Sequence, residues 1–436
     1  MVIVLPFPGR NGTTCARCLA GERLTTGVVL TGKASSNEWS GAALSPESGA
    51  LLAVARTVVG SQSPRELSSA LGACESVEGL CEAARSQGML GHLAAAVLRP
   101  GLDADPGLRK KLMELQRALV VRNLKQTTYL VRILDKLEEA GVQAMPLRGP
   151  IWAEMLYGDI ASRIWVDLDL LVEHDRLSAA HDALLAWGLT DTSPLNRRTM
   201  EAGWGSSGQI ALARTEFGLV VDLHWKITVS TSPRSLTAKP VLARGENVEL
   251  LGRQVRCPGK SDVLVMTCME GARDKWGSLS RLLDLAVQVS RMREEEWPGA
   301  LKSAGEAGCE RRMVVGVAHV CRVLRIREPE AVTAASRDMI SRMLARRLRP
   351  ENIAGDGVGT LRERLGRTVW DAASEDNLVD GVRHLAARLF APSTEDWQSY
   401  RLPPGLALLY RLLRPGRLAV KWSARGLGLR RARKGD

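Results

Sequence analysis

The stretch RIWVDLDLLVEHD, residues 163–175, sets two carboxylates, Asp167 and Asp169, into an otherwise apolar run. In an extended chain, side chains alternate between faces, so residues two apart project the same way. Asp167 and Asp169 then share one face, and Leu168 and Leu170 take the other. Like charges held side by side repel, and burying them is costly or raises a pKa. A divalent cation is the compensation such a pair invites.

A second acid interrupts a strand-like run further on. In GLVVDLHWKI, residues 218–227, Asp222 lies mid-run and His224 follows two residues later on the same face. GQIALART, residues 208–215, precedes it across a tight Glu216-Phe217-Gly218 connection, which reads as a hairpin. Three acids on neighbouring strands, behind a glycine-led helix start, are what two-metal phosphoryl chemistry requires. Two acids bridge both cations, and the third completes the site of the cation that activates the attacking group. On spacing alone, solvent-facing acids of half-exposed strands remain an equal reading. Asp-x-Asp by itself decides nothing, since Asp103-Ala104-Asp105 repeats it in a Pro/Gly loop.

Outward from these strands the rhythm is helical. SGALLAVARTVV, SPRELSSALGACESV and LRKKLMELQRALVVRNLKQTTYLVRILDKLEEAG repeat apolar residues at three- and four-residue spacing, the last closing on Gly141. GVQAMPL then reads as a short strand, and Pro150 opens the helix PIWAEMLYG at the position where a missing N–H is no loss. WVDLDLLV is a strand, LSAAHDALLAWG an amphipathic helix ending at Gly188, and VELLGRQVRCP a further strand pair. Ser261 is a candidate N-cap for helices that continue to the end, broken at Pro298, Gly355 to Gly359, Pro392 and Pro403-Pro404.

The expected architecture is α+β, a small mixed sheet between helical regions. Residues 1–45 are loosely attached or disordered, 46–139 helical, 140–260 the sheet core, 261–410 helical, and 411–436 a basic tail.

Hydrophobic residues at 45% and charged residues at 25% are those of a folded protein with a sizeable core. The net charge of +12 is concentrated after Tyr410, where nine Lys and Arg face the single acid Asp436. The high pI therefore does not mark the whole chain for nucleic acid. The tail is either solvated or a contact for anionic lipid or RNA. Cys15 and Cys18 form a C-x-x-C without a second pair at metal spacing, and the other cysteines read as buried thiols of a cytoplasmic protein. No apolar run is long enough for a membrane span, and MVIVLPFPGR does not read as a secretory signal.

PLRGPIWAEMLYGDIASRIWVDLDLLV resembles the signature of the bacterial uncharacterised nucleotidyltransferase family of the DNA polymerase beta superfamily. That signature has a basic residue and Gly, a short helix ending in Leu-Tyr, an Arg, then Asp-x-Asp-Leu-Leu-Val. Asp222-Leu223-His224-Trp225 is similar to the family's Asp-Leu-His-Trp. EGARDKWGSLSRLLDLA, with Trp276 and Asp284, and DWQSYRLPPGLALLYRLLRPGRLAV resemble its later segments.

The resemblance implies a nucleotidyltransferase core and transfer of a nucleoside monophosphate from an NTP, ATP by default, to an unidentified acceptor. It implies two Mg²⁺ ions, with Mn²⁺ as the alternative, held by Asp167, Asp169 and Asp222. Asp167 and Asp169 would serve the triphosphate, and Asp222 the cation at the acceptor hydroxyl. Gly149 would let the backbone approach phosphate at the helix N-terminus, and Arg148 and Arg163 would neutralise the leaving pyrophosphate. Arg148 replaces the family's usual Lys, Glu270 its usual His, and Pro150 follows Gly149 where Gly-Ser is commoner. These departures keep open a degenerate nucleotide- or partner-binding module. His224 reads as either a packed strand histidine or a catalytic group, and Trp165, Trp225 and Trp276 read as core.

Overall fold

Proline and short polar residues set the helix starts of the N-terminal region. In the computed structural model, α1 (Pro46–Val58) starts where Ser45 accepts from the Ser48 amide, and α2 (Pro64–Gly72) carries a reciprocal Ser63/Glu66 capping box. Two short helices follow, α3 (Val77–Ser86) and α4 (Leu90–Val97). The long α5 (Pro106–Glu139) is capped by Asp105, whose Oδ1 accepts from Leu108 N at 2.8 Å. The second Asp-x-Asp thus ends in a helix cap. Gly141, at φ 68°, turns the chain out of α5.

The structure describes residues 44–193, 208–227, 236–336, 338–348, 361–393, 396, 399–400, 406 and 408–426. Residues 1–43, with Cys15 and Cys18, lie outside the described residues, as do the breaks expected at 355–359 and 403–404 and the last ten residues of the tail.

Among the described residues the chain forms seven strands. The chain forms β1 (Ala144–Pro146), α6 (Pro150–Tyr157), β2 (Leu168–Val172), α7 (Leu177–Ala186), β3 (Thr190–Asp191), β4 (Gln209–Arg214) and β5 (Leu219–His224). These strands make one mixed sheet in the order β1-β2-β5-β4-β3. Only the β2–β5 pair is parallel; the other three pairings are antiparallel. After α8 (Ala238–Ala243), β6 (Glu246–Leu250) and β7 (Arg253–Cys257) form a separate hairpin.

Two boundaries differ from expectation. β2 starts at Leu168, not at Trp165, because the Arg163 and Trp165 carbonyls are taken by Asn123 and Arg122 on α5. The next helix, α9 (Lys260–Arg273), starts after Gly259 with no side-chain cap, so Ser261 is already inside it.

Among the described residues, the remaining helices are α10 (Leu279–Arg291), α11 (Trp297–Glu306), α12 (Glu310–Leu324), α13 (Glu330–Ala335), α14 (Met339–Arg347), α15 (Leu361–Ala373), α16 (Leu378–Phe390) and α17 (Leu409–Gly426). With helices on both sides of a small mixed sheet, the protein is α+β. α12 packs against α9, α10, α11 and α14, and also reaches α1. Arg56 of α1 donates to the Val323 carbonyl at 3.1 and 2.8 Å. The two helical regions are therefore joined to each other as well as to the sheet.

Trp276 is one of the largest buried side chains of this helical layer. It is fully buried in a left-handed conformation, φ 56°, directly after Lys275 at φ 51°. Gly271 and Gly316 leave room for its ring, since a Cβ on either would collide with it. Trp165 and Trp225 are buried as well. The six described cysteines are free thiols, and all but Cys74 are buried.

Candidate metal and nucleotide site

The parallel β2–β5 register places Leu168 beside Val221 and Asp169 beside Asp222. Alternation then puts Asp169, Asp222 and His224 on one face, while Leu170, Val221 and Leu223 on the other face are fully buried. Ligand atoms of Asp169, Asp222 and His224 all lie within 4.8 Å of one another. Asp167 falls in the bend just before β2 and is not in that trio, yet its charge acts on Asp222. The structure thus brings together two of the three expected acids, adds His224 to them, and leaves Asp167 at the rim.

Hydrogen bonds fix the orientation of each group. His224 Nε2 sits 2.8 Å from Asp169 Oδ1, and Arg148 Nη2 donates to the same oxygen at 2.6 Å. The other arm of the Arg148 guanidinium pairs with Glu270 of α9. Gln209 on β4 donates to Asp222 Oδ2 at 2.8 Å. The Asp222 carboxyl is pushed up to about 7, first by burial and then by the charge of Asp169, with His224 and Arg148 opposing the rise. Among the described residues, Asp169, Asp222 and Glu270 gather around the Arg148 guanidinium. A small cleft lined by Leu147, Arg148, His224, Met266 and Glu270 opens beside them.

The glycine turn stands next to this cluster. Gly149 has φ 62° and ψ −118°, a conformation that side chains disfavour, and a Cβ there would lie 3.4 Å from the Trp165 ring. The turn delivers Pro150 to the first turn of α6, which has no side-chain cap.

Arg163 is placed elsewhere. Its Nη2 pairs with Asp284 Oδ2 at 2.8 Å, and its guanidinium lies over the Trp152 ring at 5.1 Å. Asp284 is fully buried on α10 and accepts from the Tyr157 hydroxyl at 2.8 Å. Burial raises the Asp284 carboxyl, and the Arg163 charge opposes that rise. Burial, then the Asp284 charge, holds the Tyr157 phenol well above its ordinary range. His92 packs edge-on to Tyr157.

Arg163 belongs to a segment held from several sides. Asn123, fully buried on α5, donates to the Ile160 carbonyl at 2.6 Å and the Arg163 carbonyl at 3.0 Å. Arg122 bonds the Trp165 carbonyl. Gly91 of α4 lets the backbone of Ala161 and Ser162 come close, where any Cβ would collide. Sequence reasoning missed Asn123, Arg122 and Gly91. A signal for Asn123 did exist: Leu119, Asn123, Thr127 and Leu130 share the buried stripe of α5, so polar residues interrupt an apolar row.

A mixed sheet that sets two carboxylates and an imidazole within metal-ligand distance, beside a glycine-opened helix, defines an α+β protein with a candidate divalent-cation centre. The chain belongs to the uncharacterised nucleotidyltransferase family, whose profile matches residues 74–325. That match spans the whole sheet together with α9 and α10, the helices that supply Glu270 and Asp284. No curated protein and no solved structure matches the chain.

Proposed function

We propose that the protein is a magnesium-dependent nucleotidyltransferase that moves a nucleoside monophosphate from an NTP, ATP by default, to an acceptor hydroxyl and releases pyrophosphate. The observation that carries this reading is the register of Asp169 against Asp222 on parallel neighbours, with His224 beside them.

The donor set suits a hard divalent cation. Two carboxylates and the rim acid Asp167 supply oxygens, and the one imidazole leaves Mn²⁺ as an alternative to Mg²⁺. When bound, cations would neutralise triphosphate oxygens and lower the pKa of the acceptor hydroxyl. Asp169 and Asp167 are assigned to the triphosphate cation and Asp222 to the acceptor side. The Gly149 turn and the uncapped start of α6 are assigned to a phosphate group of the nucleotide. Arg148, which pairs with Asp169, is assigned to the pyrophosphate oxygens. Arg163 holds the 159–167 segment through Asp284. We place the reaction in the cytoplasm, in keeping with buried free thiols and with no described helix long and apolar enough to cross a membrane.

A second reading rests on Arg148 itself, whose guanidinium is engaged by Asp169 and Glu270, two anions that compete with a phosphate for it. On that reading the protein binds nucleotide or a partner without transfer. Labelled NTP with Mg²⁺ and a panel of acceptors separates the two. Transfer that is lost in Asp169→Asn and Asp222→Asn supports the enzyme. Mg·NTP binding without pyrophosphate release supports the binding module.

A further inference from the structure

A surface helix ordinarily turns its apolar stripe inward and its charges outward. α17 does the reverse. At about 100° per residue, Leu409, Leu412, Leu413, Gly416, Ala419 and Val420 fall within one arc of roughly 120°, and all six are exposed. Leu412 and Val420 are 72% and 71% exposed. The opposite side faces the protein. Tyr410 is fully buried, and Arg414 and Arg417 both pair with Asp396, itself fully buried and also accepting from Ser393. The polar side of α17 is thus locked down by ion pairs, and that orientation holds the leucines in solvent. α16, packed against α17, presents Leu378, Val379 and Val382 exposed as well, Leu378 at 83%.

The sequence from Lys421 onward is strongly cationic: Lys421 and Arg425 lie inside α17, and Arg430, Arg431, Arg433 and Lys434 follow it in sequence before the lone acid Asp436. An outward leucine stripe gives an RNA nothing to bind, and a polybasic run gives an apolar protein groove nothing to bind. A bilayer with anionic headgroups uses both, the stripe entering the acyl boundary and the cations resting on the phosphates. We infer that α17 and the basic segment after it form an interfacial anchor for an anionic phospholipid surface. The helix lies in the plane of the membrane and does not cross it.

Flotation of the full chain with phosphatidylcholine vesicles, with and without phosphatidylglycerol, tests the inference. The expected result is recovery with the anionic vesicles only, falling as salt rises. Leu412→Glu alters only an exposed side chain and should remove most of the bound fraction. Neutralising Arg430, Arg431, Arg433 and Lys434 to Gln should remove it as well, with far-ultraviolet circular dichroism unchanged in both variants. No recovery with anionic vesicles overturns the anchor. So does binding that Leu412→Glu leaves intact, which would reduce the tail to plain electrostatics. Tighter binding to RNA than to vesicles overturns it too, and so does lipid-free dimerisation abolished by Leu412→Glu, which would assign the stripe to a second copy of the chain.

Discussion

Neutralising Asp222 should stabilise the metal-free protein and make it unable to respond to metal. Asp169 and Asp222 present their oxygens within 4.8 Å of each other. At that separation two unit charges repel by about 3 kcal/mol with an effective dielectric constant of ~20. His224 and Arg148 offset part of this, which leaves roughly 1–2 kcal/mol to be gained by Asp222→Asn. The gain applies above the pH, about 7, at which the wild-type carboxyl ionises in the fold. The wild type should recover stability with Mg²⁺ or Mn²⁺, by about 2.7 kcal/mol at a hundredfold excess over Kd. Urea denaturation of both proteins, with and without cation, reads these terms directly. An Asn variant that is less stable without metal, or that still gains stability from the cation, would refute the reasoning.

Other perturbations have equally definite outcomes. Gly149→Ala forces a side chain into a left-handed turn against Trp165 and should cost about 1–3 kcal/mol in chemical denaturation. Asp284→Asn leaves the Arg163 guanidinium without its anion and should destabilise by about 3–5 kcal/mol. Hydrogen exchange should show that loss concentrated in residues 159–167, and equal loosening everywhere would contradict it. Gly316→Ala drives a methyl into the Trp276 ring and should lower stability by about 1–3 kcal/mol, visible as a shifted tryptophan emission. His92 and His319 are held down to about 3 by burial, with the charges of Arg163 and Arg322 adding to the effect, against 6.5 in the unfolded chain. Their contribution is complete above pH 6.5 and is lost as pH falls toward 3, at about 1.4 kcal/mol per unit for each histidine. Replacing one by Gln should roughly halve that slope in a urea-midpoint titration.

The sheet was legible because its cues are local. Alternation in residues 168–172 and 219–224 predicted the strands, and the positive-φ glycines Gly141, Gly188 and Gly218 mark the ends of elements. Pairing of Asp169 with Asp222 could be anticipated from two-residue periodicity, but their register could not, since it depends on how β2 meets β5 across fifty residues of chain. The same limit explains Arg163. The family resemblance implied a phosphate contact, while its partner in the fold, Asp284, arrives from α10 by tertiary packing. His224 entered the cluster because an i, i+2 step from Asp222 keeps it on the same face, a cue available in the sequence but ambiguous without the opposing strand. The strand boundary at Leu168 was invisible for a similar reason, since distant side chains on α5 claim the carbonyls that would have extended it.

The junction of α1 with α12 bears on how the protein can be divided. Ala50 through Ala55 of α1 are all buried, and Arg56 seals the far end of α12. A fragment trimmed to the family-matched residues 74–325 would lose this cover and bare a strip of hydrocarbon on α10 and α12. The mixed sheet would then sit on a scaffold prone to self-association, so recombinant versions should retain the chain from Ser45 onward.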